Sequence, residues 1–414
     1  MQLLHFSGVE VVFDSISTRV HAANMSIRSP IFSQVMSNLD PTQFARCVER
    51  FPSPRQPRGL SAYDYFLALC FAQLTYRESL RDISACLCAR AARAYHLGFR
   101  SRITRTNLAY ANQYRDWRVF AAVAQQLMQR ARPLYQSEPV ADLELPAVIY
   151  ALDASLIELS LSLFPWAHWQ PTTAGMKLHM LLSLRGNVPA WSLITEATYP
   201  DQKALAQVPL EPGAFFIMDR GYLDFPRLAR LHHAEAYFVV RAKARLRFRV
   251  LVSRPVDKSG GLRCDQTIAL TGRFTRTDFP APLRRVRVRD EDAGRSLVLL
   301  TNHFGLPAQT IAELYRCRWQ VELFFKWIKQ HLRLRAFYGR TPNAVRAQIW
   351  TAICTYLLVA IARKEMNLSQ SMHQLLQIIS VSAFEQTPLS ELLTEMTPET
   401  FTNDSPKQLL LNNI

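Results

Sequence analysis

A change of hydrophobic period near residue 147 limits the fold of this chain more than any other feature. Upstream, apolar residues recur at three- and four-residue spacing, as they do on helices that bury one face. Downstream they come in short blocks or alternate, as they do in strands. Val148 to Ile157, Lys177 to Arg185 and Ala190 to Thr198 read as three strands. Ala214 to Met218 and Tyr237 to Val240 read as two more, with a helix from Phe225 to Ala236 between them. Strands joined by crossover helices require an α/β layer built on a mixed sheet.

Residues 25 to about 140 read as short helices. Ser61 stands three residues before Asp64 and Ser79 three before Asp82, each pair opening an apolar run in the manner of a capped helix start. A third stretch, Asp116 to about Ala131, places Val119, Phe120, Val123 and Leu127 at helical spacing. The region contains arginine but no lysine, and its bases outnumber its acids, which fits a helical DNA-binding domain and equally a basic solvated bundle. Residues 1–24 are mixed in character and precede a second methionine, Met25, so they are expected to be a dispensable extension. Beyond residue 300, one long helix is expected from Pro307 through Gln330 and another from Asn343 to about Met366, opening a C-terminal helical region over 338–414. The apolar segment Ala347 to Ala362, bounded by Arg346 and Arg363, falls short of the roughly 20 apolar residues a bilayer needs and reads as a buried helix.

Charge narrows the class of partner. Lys and Arg number 49 against 33 Asp and Glu, a net charge of +16, which favours polyanions without saying which. Arg241, Lys243, Arg245, Arg247 and Arg249 alternate with apolar residues, so a single strand would put all five cations on one face. Arg285, Arg287 and Arg289 repeat the pattern. Two stripes of one sign point to phosphate contact. Seven cysteines without a CxxC pair exclude a disulfide framework and a zinc ribbon and suit a reducing cytosol.

Three acids stand out by position. Asp153 lies in or at the end of one apolar strand, Asp219 ends another, and Glu322 sits in a helix between Val321 and Leu323. Each has an ordinary use as a turn cap or solvated charge. Gathered together they would make an all-oxygen site suited to Mg²⁺ or Mn²⁺ and not to zinc. Tyr315, Arg318, Glu322 and Lys329 fall on one face of a continuous helix, combining a carboxylate for metal with two cations and a phenol.

The string Tyr315-x2-Arg318-x3-Glu322-x6-Lys329 resembles the Y-R-E-K signature of bacterial DDE transposases of the insertion-sequence-four type. Asp219-Arg-Gly-Tyr222 is similar to that family's second-acid turn, and Leu152-Asp153-Ala-Ser-Leu-Ile157 to its first-acid strand, departing from it at Ala154-Ser155. Lys177-Leu-His179 and Tyr237 to Arg241 also resemble family segments, and the likeness runs over nearly the whole chain from Met25.

The resemblance implies an RNase H-like mixed-sheet catalytic core over residues 141–337, with a β-rich insertion at about 245–300, preceded by a helical DNA-binding domain and followed by C-terminal helices. It implies Asp153, Asp219 and Glu322 as a catalytic triad holding two Mg²⁺ ions (Mn²⁺ as a substitute) about 3.5–4 Å apart. Arg318 and Lys329 would bind phosphates, Tyr315 would position the strand, and the basic stripe from Arg241 to Arg249 would grip DNA. Trp319 is a candidate for stacking on a base extruded in a hairpin intermediate, whereas Trp327 reads as core. The function so implied is cut-and-paste transposition on double-stranded DNA, by a homodimer that joins two element ends in the bacterial cytoplasm at the nucleoid. A nuclease of the same fold without strand transfer, an RNA-acting relative and a non-catalytic DNA-binding derivative are the alternatives.

Overall fold

The computed structural model describes residues 29–53, 59–140, 143, 145–290, 295–332, 334 and 336–394; the expectation for residues 1–24 lies outside them. Its centre is one sheet of ten strands: β1 (Ile149–Leu159), β2 (His168–Gln170), β3 (Thr173–Ser183), β4 (Val188–Glu196), β5 (Phe215–Met218), β6 (Tyr237–Arg241), β7 (Phe248–Arg254), β8 (Leu262–Leu270), β9 (Leu283–Asp290) and β10 (Arg295–Thr301). β1, β3 and β4 make an antiparallel meander, and β5 and β6 join the other edge of β1 in parallel with it. This order, β4-β3-β1-β5-β6, is the RNase H-like arrangement. Ile149 to Leu152 and Phe215 to Met218 are buried throughout, as strands covered on both faces must be.

Helices cover both faces. One side holds α1 (Ile31–Met36), α2 (Pro41–Arg50), α3 (Ala62–Leu74), α4 (Leu80–Ala89), α5 (Ala91–His96), α6 (Arg105–Tyr114) and α7 (Arg118–Leu134). The other holds α8 (Asp201–Leu205), α9 (Phe225–His233) and α10 (Arg273–Asp278). On the first side, α11 (Ala308–Arg316) and α12 (Trp319–His331) lie against the sheet, backed by α13 (Pro342–Glu365), α14 (Met372–Ser382) and α15 (Leu389–Thr394). The serine caps form as expected: Asp64 N donates to Ser61 Oγ at 2.9 Å, and Asp82 N donates to Ser79 Oγ at 3.1 Å. α13 is long and apolar enough to cross a membrane by composition, and 94% of its apolar window is buried inside the protein. It packs against α3, α6 and α7, so helices from the two ends of the chain share one core.

Two expectations fail. The helix drawn from Pro307 to Gln330 is broken at Cys317 and Arg318, where Arg318 N, Gln320 N and Val321 N bond three residues back instead of four. The apolar rhythm runs across this tightened turn, so period alone could not reveal it. The stripe from Arg241 to Arg249 does not lie on one strand either. β6 stops at Arg241, the chain turns through Ala244 and Arg245, and β7 begins at Phe248. The reason is pairing: β6 bonds to β10, whereas β7 bonds to β8 at the far edge, with β10, β9 and β8 between them. The inserted strands thus continue the core sheet. Arg285, Arg287 and Arg289 do share one face of β9, alternating with buried Val286 and Val288.

Candidate active site

Strand register brings the first two acids together. Leu152 on β1 pairs with Met218 on β5, and Met218 pairs with Val240 on β6. The next residues, Asp153, Asp219 and Arg241, therefore emerge in a row across three neighbouring strands, roughly 4.8 Å from strand to strand. The parallel pairing of β1 with β5 stops at Leu152 and Met218, and a crevice opens where parallel pairing stops in this way. β1 runs on past Asp153 to Leu159, whereas Asp219 passes directly into a short 3₁₀ turn over Arg220–Tyr222.

The third acid arrives from above. α12 packs on β1, and Glu322 occupies its first turn. The turn that breaks the predicted helix aims Arg318 between the acids: its Nη1 lies 3.2 Å from Asp153 Oδ2 and 2.5 Å from Glu322 Oε1. Tyr315, near the end of α11, donates its hydroxyl to Asp219 Oδ1 at 3.2 Å, and Arg241 Nη1 stands 4.0 Å from the same oxygen. Tyr315, Arg318 and Glu322 thus converge on the two strand acids.

Electrostatics follow from this crowding. Burial pushes the Asp153 carboxyl up to about 6. The Ala154 N–H and Arg318 hold it back, while Glu322 and Asp219 push it further up. Burial would lower the Arg318 guanidinium, yet Glu322 keeps it above its usual range. Burial likewise pushes the Tyr315 phenol up to about 12, so it remains a donor at neutral pH.

Among the described residues no three Asp, Glu, His or Cys side chains form a ready ligand cluster, and the Arg318 guanidinium lies between Asp153 and Glu322. The donors nevertheless suit a hard divalent cation: all are carboxylate oxygens. Asp153, with only 19% of its side chain exposed, has a charged form that is under-compensated and calls for more positive charge.

Two recesses flank the acids. One, of about 460 Å³, is lined by Asp153, Ser155, Glu322, Lys326, Lys329 and Gln330. Lys329 is where its spacing placed it. Lys326 was missed, although it stands one turn after Glu322 and the same periodicity would have found it. The second recess, of about 280 Å³, is rimmed by Arg220, Arg241, Lys243 and Arg285. Arg245, Arg247 and Arg249 are exposed and line neither recess. Trp319 is 57% exposed. Trp327 packs edge-on against Tyr356 with ring centroids 5.2 Å apart, in keeping with a core role.

Comparison with known proteins agrees with this geometry. The family profile described as "Transposase DDE domain" matches residues 144–358, and a domain of unknown function (DUF4372) matches residues 27–100. The protein y4zB of Sinorhizobium fredii, named as a transposase, is 32% identical over 250 residues, covering 59% of this chain and 69% of the relative. The transposase named for insertion sequence element IS5377 of Geobacillus stearothermophilus is 29% identical over 52% of this chain and 57% of its own length. That named for IS4SA of Synechocystis is 24% identical over 51% of this chain and 59% of its own. The chain thus aligns with less than three-fifths of the latter two. A solved piggyBac transposase synaptic complex with hairpin DNA covers 94% of this chain at 13% identity and a TM-score of 0.40, a likeness too distant to build on. With more than half of its length inside that profile, and with one acid within β1, one at the end of β5 and one on the helix above them, the chain belongs to the DDE transposase family of bacterial insertion sequences.

Proposed function

We propose that this protein binds the terminal inverted repeats of an insertion element and catalyses metal-dependent strand cleavage and strand transfer with Asp153, Asp219 and Glu322. One observation carries the reading: Asp153 and Asp219 leave adjacent register positions of β1 and β5, and a single guanidinium joins Asp153 to Glu322. The three carboxylates would hold Mg²⁺ or Mn²⁺, two ions by the usual logic of such sites, which when bound would supply charge neutralisation and activation of the attacking oxygen.

The chain's own residues account for the rest. Tyr315 fixes the Asp219 carboxylate through its hydrogen bond. Arg318 keeps two repelling carboxylates close, and could turn to a phosphate once another positive charge takes its place. Lys326 and Lys329 line the recess beside Asp153 and Glu322, where a phosphodiester would lie against the acids. Arg241 and Lys243 rim the recess on the opposite side and would take phosphates of the other DNA segment. The exposed Trp319 is available to stack on an unpaired base. Two element ends call for two copies of the protein, and the work belongs to the bacterial nucleoid.

The test is excision and joining of a marker flanked by the DNA that borders this gene, with purified protein and Mg²⁺. Asp153→Asn, Asp219→Asn and Glu322→Gln should each lower cleavage on the order of a thousandfold or more. Wild-type rates in any of the three would remove that residue from the chemistry. Cleavage without joining to a target duplex would reduce the protein to a nuclease.

A further inference from the structure

On the face of the sheet opposite α12 lies a group of polar side chains that the three acids do not use. Lys177 and His179 stand two apart on β3 and so share a face, together with Leu181 of the core that also holds Leu205 and Tyr222. Lys177 Nζ donates to Asp201 Oδ1 at 3.0 Å and to the Tyr199 carbonyl at 2.9 Å. Asp201 opens α8, which packs on the 3₁₀ turn Arg220–Tyr222 that follows Asp219. The other oxygen of Asp201 lies against the middle of that turn, where a Cβ added at Gly221 would be 3.5 Å from Oδ2. One ammonium thus ties the antiparallel meander to the turn that carries the second acid.

Asp219 needs such support more than Asp153 does. Asp153 lies within β1 and is paired with Met180 on β3. The ladders of β5 stop at Met218 on both of its edges, so no strand pairing fixes Asp219, and its place depends on the turn after it. Among the described residues Lys177 is the only permanent cation paired with Asp201. The His179 side chain is fully buried, and its Nε2 lies 3.0 Å from Thr195 Oγ1, whose hydroxyl donates onward to the Glu196 carbonyl at 3.1 Å. Nε2 therefore carries the proton, and the bare Nδ1 stands 3.9 Å from Asp201 Oδ1 without a hydrogen bond. Tyr222, 1% exposed, seats its ring in the core, but its hydroxyl has no hydrogen-bond partner among the described residues. An ion pair whose side chains are 20% and 34% exposed adds little to stability. Its use is geometric.

We infer that Lys177 and Asp201 are positioning residues for the cleavage reaction: the pair sets the turn after β5, and through it holds the Asp219 carboxylate at the spacing from Asp153 that a shared divalent cation requires. Tyr315 reaches Asp219 from the side of α11 and α12, and Asp201 braces the turn from the other side. Loss of a group that orients a metal-holding carboxylate costs roughly ten- to a hundredfold in ion affinity or rate, and a displacement of about 1 Å at the reacting centre has an effect of that size. The inference rests on the transposase reading and adds to it two residues that act through Asp219 and not on the DNA.

The test uses the full-length protein and two readouts: Mn²⁺ binding without DNA, followed by loss of the free ion's electron paramagnetic resonance signal, and single-turnover cleavage with Mg²⁺. Lys177→Met and Asp201→Asn should each weaken Mn²⁺ binding and slow cleavage by about tenfold to a hundredfold, at wild-type affinity for duplex DNA. The double variant should be no worse than either single one, because both break the same link. Lys177→Arg keeps the cation and should recover to within a few-fold of wild type. Asp201→Asn keeps its volume against Gly221, so it decides the matter should the Lys177→Met protein not fold. Lys177→Met and Asp201→Asn proteins that bind Mn²⁺ and cleave like the wild type, beside an Asp219→Asn protein that has lost both, would overturn the inference and leave the transposase reading standing. Losses that vanish once binding and rate are expressed per folded molecule would overturn it too, as would a loss confined to DNA affinity. A wild type that neither binds Mn²⁺ nor cleaves would overturn both readings.

Discussion

Arg284 and Arg318 both meet carboxylates inside this protein, yet the two contacts are built differently. Arg284, on β9 and 4% exposed, directs Nε and Nη2 to the two oxygens of Asp265 on β8 at 2.9 and 2.8 Å, and gives Nη1 to the carbonyls of Phe304 and Leu306. Arg318 offers a single nitrogen to two different carboxylates and leaves its buried Nε without a partner. Two parallel bonds satisfy a buried pair. One shared nitrogen does not, and burial has accordingly pushed the Asp153 carboxyl up to about 6. The closed contact ties inserted strands into the sheet. The open one holds mutually repelling acids together, a condition that costs stability and suits cation binding.

The largest contrast should appear in rates. Glu322→Gln should reduce single-turnover cleavage on the order of a thousandfold, whereas Asp265→Asn should leave cleavage per folded molecule within a few-fold of wild type. An Asp265 variant as inactive as the Glu322 variant would erase the distinction between the two contacts. Stability should show the reverse order. Asp265→Ala strands a buried guanidinium and should cost about 3–5 kcal/mol, read from the urea midpoint. Glu322 is 33% exposed on its side chain, and its removal should cost far less. Equal midpoints for the two variants would break this part of the comparison.

A third expectation concerns pH, measured by melting in the presence of a chelator. Asp153 rises from an ordinary value of 3.8 to about 6 in the folded protein. Between those values the folded state keeps a proton that the unfolded chain has lost. Stability from this group is therefore greatest below about pH 4 and falls by about 3 kcal/mol as pH rises through 6. His179 acts in the opposite sense. Burial lowers its imidazole from 6.5 to about 4, so stability is full above 6.5 and is lost as pH falls toward 4. The two trends offset in the wild type over this window. Asp153→Asn should stabilise the cation-free protein by about 2 kcal/mol at neutral pH and uncover the acid limb set by His179. A variant whose melting curve tracks the wild type at every pH would show that Asp153 is not under electrostatic strain.

The legibility of these features in the sequence follows from their reach along the chain. Asp153 is readable because it interrupts an apolar strand and Asp219 because it ends one, and Glu322 and Lys329 because helical spacing survives a local kink. The contact of Arg318 with Asp153 spans 165 residues, and no local pattern encodes it. The cations from Arg241 to Arg249 were misread for a related reason. Alternation states which residues could share a face, but hydrogen-bond partners decide whether a strand exists, and those partners lie on β10 and β8. The mixed sheet itself was legible, because buried strands and amphipathic helices differ in period. The break after Arg316 was not, because Ile311, Leu314 and Val321 keep their rhythm on either side of it.

The smallest expected effect tests the remaining contact at the acids. Tyr315 is buried, and its hydroxyl donates to Asp219 Oδ1 at 3.2 Å. Phenylalanine at this position removes one hydrogen bond to a carboxylate whose side chain is 35% exposed. Water can therefore replace the lost donor, and the net loss of stability should be about 1 kcal/mol, read as a slightly lower urea midpoint beside a cleavage step slowed by no more than a few-fold. The same logic separates Asp219 from Asp265, where Arg284 leaves no room for solvent to compensate. A thousandfold loss in Tyr315→Phe would mean that the phenol touches the reacting strand itself, and Tyr315 would then stand with the three acids instead of behind one of them.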